Sequence, residues 1–137
     1  MKLGKESRYA IEGLVVLARK PFGTTIQLAE IAHAADVPAS FLAKIFQKLQ
    51  RANIVASSRG AVRGYALAHK SNAIKVKDVF LAVEGADLFD RCLFWTDRCA
   101  DVSPCPMHFQ WKQVRQDITG LMEQTTLAEL ARKKPRK

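Results

Sequence analysis

Apolar residues recur at intervals of three and four along much of the chain, which is the spacing of helices that bury one face. This spacing predicts a first helix over residues 7–18, which the run Pro21-Phe22-Gly23 ends. A second helix follows. It is capped by Thr24 or Thr25 and ends near Ala34.

The third predicted helix is separated from the second only by the turn Ala35-Asp36-Val37-Pro38, which is the outline of a helix-turn-helix. It begins at Ala39 or Ser40 and extends to about residue 52. Its predicted buried face holds Phe41, Leu42, Ile45, Phe46 and Leu49.

Short β-branched runs replace the helical pattern after the third helix. Residues 54–58 and 65–67 flank a tip bounded by Gly60 and Gly64, which predicts a β-hairpin. A hairpin directly behind a helix-turn-helix is a wing. In this geometry the third helix enters the major groove of DNA by its N-terminal residues, and the wing lies along the backbone or in the adjacent minor groove.

The second half of the chain predicts three further helices. The first covers residues 71–84 and ends at Gly85, and the last opens with the capping box Thr126-Leu127-Ala128-Glu129. Between them, residues 107–124 form a longer helix with Trp111, Val114, Ile118, Leu121 and Met122 at intervals of three and four. Such a stripe is typical of a helix that packs against its copy in a two-fold dimer, although it could instead cover the core of its own domain.

The predicted fold is mainly α with a small β-hairpin wing, a winged helix-turn-helix DNA-binding domain followed by a long C-terminal dimerisation helix. We expect the winged helix-turn-helix over residues 1–86, and the cysteine segment, dimerisation helix and basic tail over residues 87–137. No apolar run approaches the roughly 20 residues that span a bilayer, and the first residues lack a secretory signal. We therefore expect a cytoplasmic protein with no membrane partner.

Positive charge is concentrated on the predicted helix-turn-helix and wing. The net charge is +9, and no Asp or Glu occurs between Val37 and Lys77. That stretch holds eight cations, Lys44, Lys48, Arg51, Arg59, Arg63, Lys70, Lys75 and Lys77. A surface of this kind attracts a polyphosphate backbone through counterion release, although basic surfaces also serve solubility alone.

Seven residues are candidates for contact with double-stranded DNA. They are Ser40, Lys44, Gln47, Lys48, Arg51, Arg59 and Arg63. Ser40 lies at the helix start, the next four lie on later turns away from the apolar stripe, and the two wing arginines suit a phosphate or the minor groove. An exposed Lys or Arg is also commonly just solvated, so the group is a stronger prediction than any one member.

All three cysteines and one histidine lie within 17 residues, as Cys92, Cys99, Cys105 and His108. Thiolate and imidazole are ligands of iron–sulfur clusters and zinc, and an odd number of cysteines cannot be closed internally into disulfides. A soft-metal or redox site is therefore the first hypothesis. Structural zinc, whose sites use shorter cysteine spacings, and a thiol switch activated by Arg91 and Arg98 are two less favoured alternatives of about equal weight. A helix-start role for His108 without metal also stays open.

The chain resembles the Rrf-two family, the small winged-helix regulators of the IscR, NsrR and RirA type. Seven segments carry the resemblance, in this order: Arg8-Tyr9-Ala10, Leu28-Ala29-Glu30-Ile31-Ala32, Ser40-Phe41-Leu42 to Leu49, Ser58-Arg59-Gly60 with Gly64-Tyr65, Ile74 to Gly85, the three cysteines, and Thr126-Leu127-Ala128-Glu129-Leu130. The resemblance implies a homodimeric transcription regulator, often a repressor, that binds a palindromic operator. It further implies dimerisation through the helix at residues 107–124 and an iron–sulfur cluster in the cysteine segment.

The spacing Cys99-x5-Cys105-x2-His108 is similar to that of the iron–sulfur biogenesis regulators, in which three cysteines and a histidine hold a 2Fe–2S cluster. Six residues separate Cys92 from Cys99, one more than in that subtype. The nitric-oxide-sensing subtype uses an aspartate where this chain has Arg8, so the resemblance favours His108 as fourth ligand and 2Fe–2S over 4Fe–4S.

Two positions depart from the family pattern. The wing tip reads Ala61-Val62-Arg63 where relatives are richer in glycine, and Ala43 replaces a recognition-helix glutamate that links promoter choice to the cluster. The resemblance therefore does not imply cluster-controlled switching between two classes of DNA site.

We expect no enzyme, because no phosphate loop, nucleophile elbow or carboxylate pair is present. A winged-helix regulator without a cluster or, less favoured, a small iron–sulfur redox carrier is the competing hypothesis.

Overall fold

The computed structural model describes residues 4–60, 63–91, 104 and 106–133. Helices dominate these ranges, and one antiparallel hairpin accompanies them, as the sequence predicts. In chain order the elements are α1 (Lys5–Ala18), α2 (Leu28–Ala35), α3 (Ala39–Arg51), β1 (Val55–Ser58), β2 (Gly64–Leu67), α4 (Val76–Glu84), α5 (His108–Gln124) and α6 (Leu127–Arg132).

The helix-turn-helix is formed by α2 and α3, which pack with α1 around one apolar core. Asp36 adopts the left-handed conformation (φ 57°) that ends α2, and Val37 is buried in the turn. The ring of Phe46 lies so close to Gly13 that a Cβ there would be 2.9 Å from the ring, which lets α1 and α3 approach closely. This approach fixes α3 on the core while its opposite face stays exposed.

The wing is a two-stranded ladder that pairs Val55 with Leu67 and Ser58 with Gly64. Ile26 extends it, because its N–H and C=O exchange hydrogen bonds of 3.0 and 2.9 Å with Tyr65. The predicted cap at Thr24 or Thr25 is therefore wrong: this pairing keeps the chain extended through Ile26, and α2 starts at Leu28. Gly64 has φ +153°, and a Cβ there would be 2.3 Å from the Ile26 carbonyl oxygen.

The predicted helix over residues 71–84 is interrupted. Ser71–Ala73 form a 3-10 turn, and Lys75 pairs in a bridge with Thr126 before α4 begins at Val76. Hydrogen bonds from Val76 N to Thr125 O (2.9 Å) and from Leu127 N to Ile74 O (2.8 Å) hold this extended stretch. The extended residues that replace the predicted helical turn therefore pair with the residues that lead into α6.

The C-terminal helices pack across the predicted boundary after residue 86. Leu127 of α6 is fully buried in the core that also contains Leu14, and Thr126 Oγ1 caps α6 by accepting from Glu129 N at 3.3 Å, as the capping box predicts. Ile118 and Met122 of α5 pack against a second cluster of Val76, Phe80, Leu88 and Phe89. None of the helices in the described ranges has the length and apolarity needed to cross a membrane.

Candidate nucleic-acid interface and cysteine segment

One face of α3 is apolar and buried and the other is polar and exposed. Leu42, Ile45, Phe46 and Leu49 are buried. The exposed side carries Ser40, Lys44, Gln47 and Arg51, four of the predicted DNA-contacting residues. Ser40 is the second residue of the helix, so it lies at the end of α3 that a winged helix inserts into the major groove.

Lys48 differs from the other candidates on α3. Its Nζ donates to Glu6 Oε2 at 2.9 Å and to the Val83 main-chain oxygen at 3.4 Å. The side chain therefore bridges α3 to α1 and to the end of α4. The sequence pattern could not indicate this, since Glu6 lies 42 residues away.

The wing presents Arg59 and Arg63 as exposed residues on the two sides of its tip. The amide of Gln50 donates to Ser57 Oγ at 2.9 Å and thereby links the last turn of α3 to β1. Between the wing and the start of α2 lies an open cavity of about 460 Å³, lined in part by Ser58 and Arg63. The last turn of α3 and the wing are thus joined directly by a side-chain hydrogen bond.

Acidic residues from outside the basic stretch neutralise part of it. Lys48 pairs with Glu6, and Lys75 and Lys77 lie 4.0 and 3.9 Å from the carboxylate of Glu123 on α5. The local sequence predicted one uncompensated surface of eight cations. This prediction is wrong, because three of the eight face carboxylates from other parts of the chain. Of the eight cations in this stretch, the other five are Lys44, Arg51, Arg59, Arg63 and Lys70, and all five are exposed.

The apolar pattern predicted that Phe41 of α3 is buried, and this prediction is wrong. The Phe41 side chain is 55% exposed, whereas Phe46 on the same helix is buried edge-on against Tyr65 with ring centroids 5.1 Å apart. The spacing of five residues places the two rings on different faces. An exposed aromatic ring therefore accompanies the polar residues at the start of α3.

Of the four predicted metal ligands, the structure describes only His108. Cys92, Cys99 and Cys105 lie outside the described residues. The described part of the chain contains no group of three His, Cys, Asp or Glu residues that could hold a metal ion. His108 is the first residue of α5, only 3% exposed, and its ring packs edge-on against Phe109. Three thiols and an imidazole are a donor set that fits an iron–sulfur cluster or zinc.

Arg91, the residue before Cys92, is tied to two helices. Its Nη2 donates to the Glu84 main-chain oxygen at 2.6 Å and to Asp87 Oδ1 at 3.1 Å, and its carbonyl oxygen accepts from Trp111 Nε1 at 3.3 Å. The Glu84 carboxylate in turn accepts from Ser7 Oγ at 2.6 Å; Ser7 is 1% exposed. The start of the cysteine segment is thus connected to α4, α5 and α1.

The apolar stripe of α5 divides between two faces. Ile118 and Met122 pack inward, while Val114 and Leu121 are exposed, Leu121 by 61%. Val114 and Leu121 are seven residues apart and therefore lie on the same side of the helix. Among the described residues, these two side chains therefore form an exposed apolar line on α5.

The chain matches a family model over residues 3–133, described as Rrf2, an iron-dependent transcriptional regulator. It is 32% identical over 130 residues to the HTH-type transcriptional regulator IscR of Vibrio cholerae, an alignment that covers 95% of this chain and 75% of that protein.

Solved structures share the fold, as two examples show. The global cysteine regulator CymR of B. subtilis superposes with a TM-score of 0.80 at 24% identity, covering 98% of this chain and 99% of that one. IscR of T. potens superposes with a TM-score of 0.75 at 25% identity, covering 95% and 85%. The relatives are named as transcriptional regulators and not as enzymes, and the chain belongs to the Rrf2 (Rrf-two) family of winged helix-turn-helix transcription regulators.

Proposed function

We propose that this regulator acts as a homodimer on a palindromic operator and senses redox, iron–sulfur or nitric oxide status through a cluster held by Cys92, Cys99, Cys105 and His108. The observation that carries the DNA-binding part is the exposed polar face of α3. It presents Ser40, Lys44, Gln47 and Arg51 without an acidic neighbour in its own stretch of sequence.

The wing completes the proposed DNA surface. Arg59 and Arg63 would contact phosphate or the minor groove, while the start of α3 meets base edges in the major groove. Lys48 is also proposed to contact DNA. Its ion pair with Glu6 must open before its ammonium group could reach a phosphate.

Competition binding tests this assignment. An operator is first selected from a random duplex library with the purified dimer, and its affinity is then compared with that of random duplex at one stated salt concentration. We expect a preference of at least a thousandfold and a pair of half-sites about one DNA turn apart. A protein that binds both duplexes equally is not a sequence-specific regulator, and a small redox carrier would then be the better proposal.

The cluster proposal rests on the donor set and on what lies at the two ends of the cysteine segment. His108 is buried at the start of α5, and Arg91 is fixed to α4 and α5 by the hydrogen bonds described above. A bound cluster would supply a redox-active, nitric-oxide-reactive centre at this place. The contribution of the chain is to hold the ends of the segment and, through Arg91, to connect them to α4 and α1.

Anaerobic purification with visible spectroscopy and iron and sulfide analysis tests this part. We expect the bands of one cluster per monomer, with 2Fe–2S favoured, and their loss in Cys99→Ala. In His108→Ala we expect a shifted spectrum or loss of the bands, whereas His69→Ala, another ring on the same chain, should leave the spectrum unchanged. A colourless protein that resists reconstitution would indicate structural zinc or a thiol switch, which metal analysis and thiol titration distinguish.

Dimerisation is proposed through α5. Val114 and Leu121 form an exposed apolar line seven residues apart, and a second copy of the same helix is a self-complementary surface for such a line. The two copies of α3 would then face two half-sites of the operator.

A further inference from the structure

The exposed ring of Phe41 is an unusual feature on α3, because the other exposed residues of this helix are polar except for the small Ala39. It is 55% exposed on α3, whereas the remaining large apolar residues of α3 are buried. Burial among the described residues therefore does not account for a phenyl ring at this position.

The location of the ring narrows what it could contact. Phe41 is the third residue of α3, next to Ser40 and three residues before Lys44, and all three side chains are exposed. This end of the helix is the one that a winged helix inserts into the major groove. The surrounding charge is positive, so an anionic partner such as DNA suits the surface better than an uncharged protein face.

A phenyl ring cannot read most of what the major groove offers, because it has no hydrogen-bond donor or acceptor. The thymine C5-methyl group is the one apolar group that a base pair presents there. We propose that Phe41 is a specificity-determining residue that packs against a thymine methyl group in each half-site. This inference rests on the proposed DNA-binding function and adds a base preference to it.

Replacement of single thymines by deoxyuridine tests the proposal, because it removes the methyl group and leaves base pairing intact. For the wild-type dimer on the selected operator, we expect one thymine per half-site at which the replacement weakens binding by about fourfold, the order of one buried methyl group. Phe41→Ala should weaken binding to the thymine operator and should bind thymine and deoxyuridine operators equally well.

Phe22→Ala is the matched control, because Phe22 is also an exposed phenylalanine (57%) but lies in the loop after α1. This variant should keep the wild-type response to deoxyuridine. Circular dichroism melts check that all variants fold. Equal sensitivity of wild type and Phe41→Ala at every thymine, or no sensitivity in the wild type, would overturn the proposal. A wild-type dimer that shows no preference for the selected operator over random duplex would instead overturn the proposed DNA-binding function.

Discussion

The guanidinium of Arg91 donates a 2.6 Å hydrogen bond to the main-chain oxygen of Glu84, so the residue before Cys92 satisfies a carbonyl at the C-terminal end of α4. We predict that Arg91→Ala lowers the free energy of unfolding by about 1 kcal/mol, because this bond and the contact with Asp87 are lost. Urea denaturation measures the change. Arg59→Ala removes an exposed wing arginine and should change stability by less than about 0.5 kcal/mol. Equal losses in both variants would contradict a structural role for Arg91.

Lys44 and Lys48 differ in their surroundings and should differ in their effect on DNA binding. Lys44 is exposed, whereas Lys48 is paired with Glu6. We predict that Lys44→Gln reduces the slope of log affinity against log salt by about one per half-site, and that Lys48→Gln reduces it less. A salt titration of operator binding gives both slopes. A larger effect from Lys48 would mean that its ion pair opens on DNA.

Gly64 permits the close approach of the wing to Ile26. We predict that Gly64→Ala lowers the free energy of unfolding by about 2 kcal/mol or more, because the added Cβ would lie 2.3 Å from a backbone oxygen and φ is +153°. Thermal and urea unfolding measure this loss. Gly60→Ala is the control at the same wing, since a Cβ there meets no atom within 4 Å among the described residues. If both variants are as stable as wild type, Ile26 and Tyr65 are not rigidly paired.

The exposed line on α5 gives a test of the proposed dimer. We predict that Leu121→Glu converts the dimer to a monomer at micromolar concentration, because two carboxylates would be buried near each other across the two-fold axis. Sedimentation velocity separates the two states. Gln124→Glu adds the same charge on the same helix at another exposed position and should leave the dimer intact. A Leu121→Glu variant that sediments as wild type would place the interface elsewhere.

Periodicity alone predicted the architecture of the described residues, since a winged helix-turn-helix follows from local spacing and turn residues. The pattern erred where long-range pairing overrides local preference. Ile26 pairs with Tyr65 and delays the start of α2, and Lys75 pairs with Thr126 and shortens α4. Neither partner can be identified from neighbouring residues, because these pairs join distant parts of the chain.

The candidate site was predicted less completely than the fold. Helical spacing placed Ser40, Lys44, Gln47 and Arg51 on one side of α3, and all four are exposed. It could not reveal that Glu6 neutralises Lys48, because charge pairing depends on how helices pack. Helical geometry places Phe41 at the edge of the buried face, about 40° from Ile45 and about 140° from Phe46, so spacing alone does not decide its exposure.

Through Leu127, the main apolar core depends on the C-terminal half of the chain. Because this side chain belongs to the core that also contains Leu14, a fragment that stops at residue 86 would lack it, and even Leu127→Ala should cost about 2–5 kcal/mol. We therefore expect the C-terminal half and the half proposed to read DNA to unfold together in one transition. Damage that releases α6 would expose the whole chain to proteases, so the amount of regulator, and not only its affinity for DNA, would fall with the integrity of its C-terminal half.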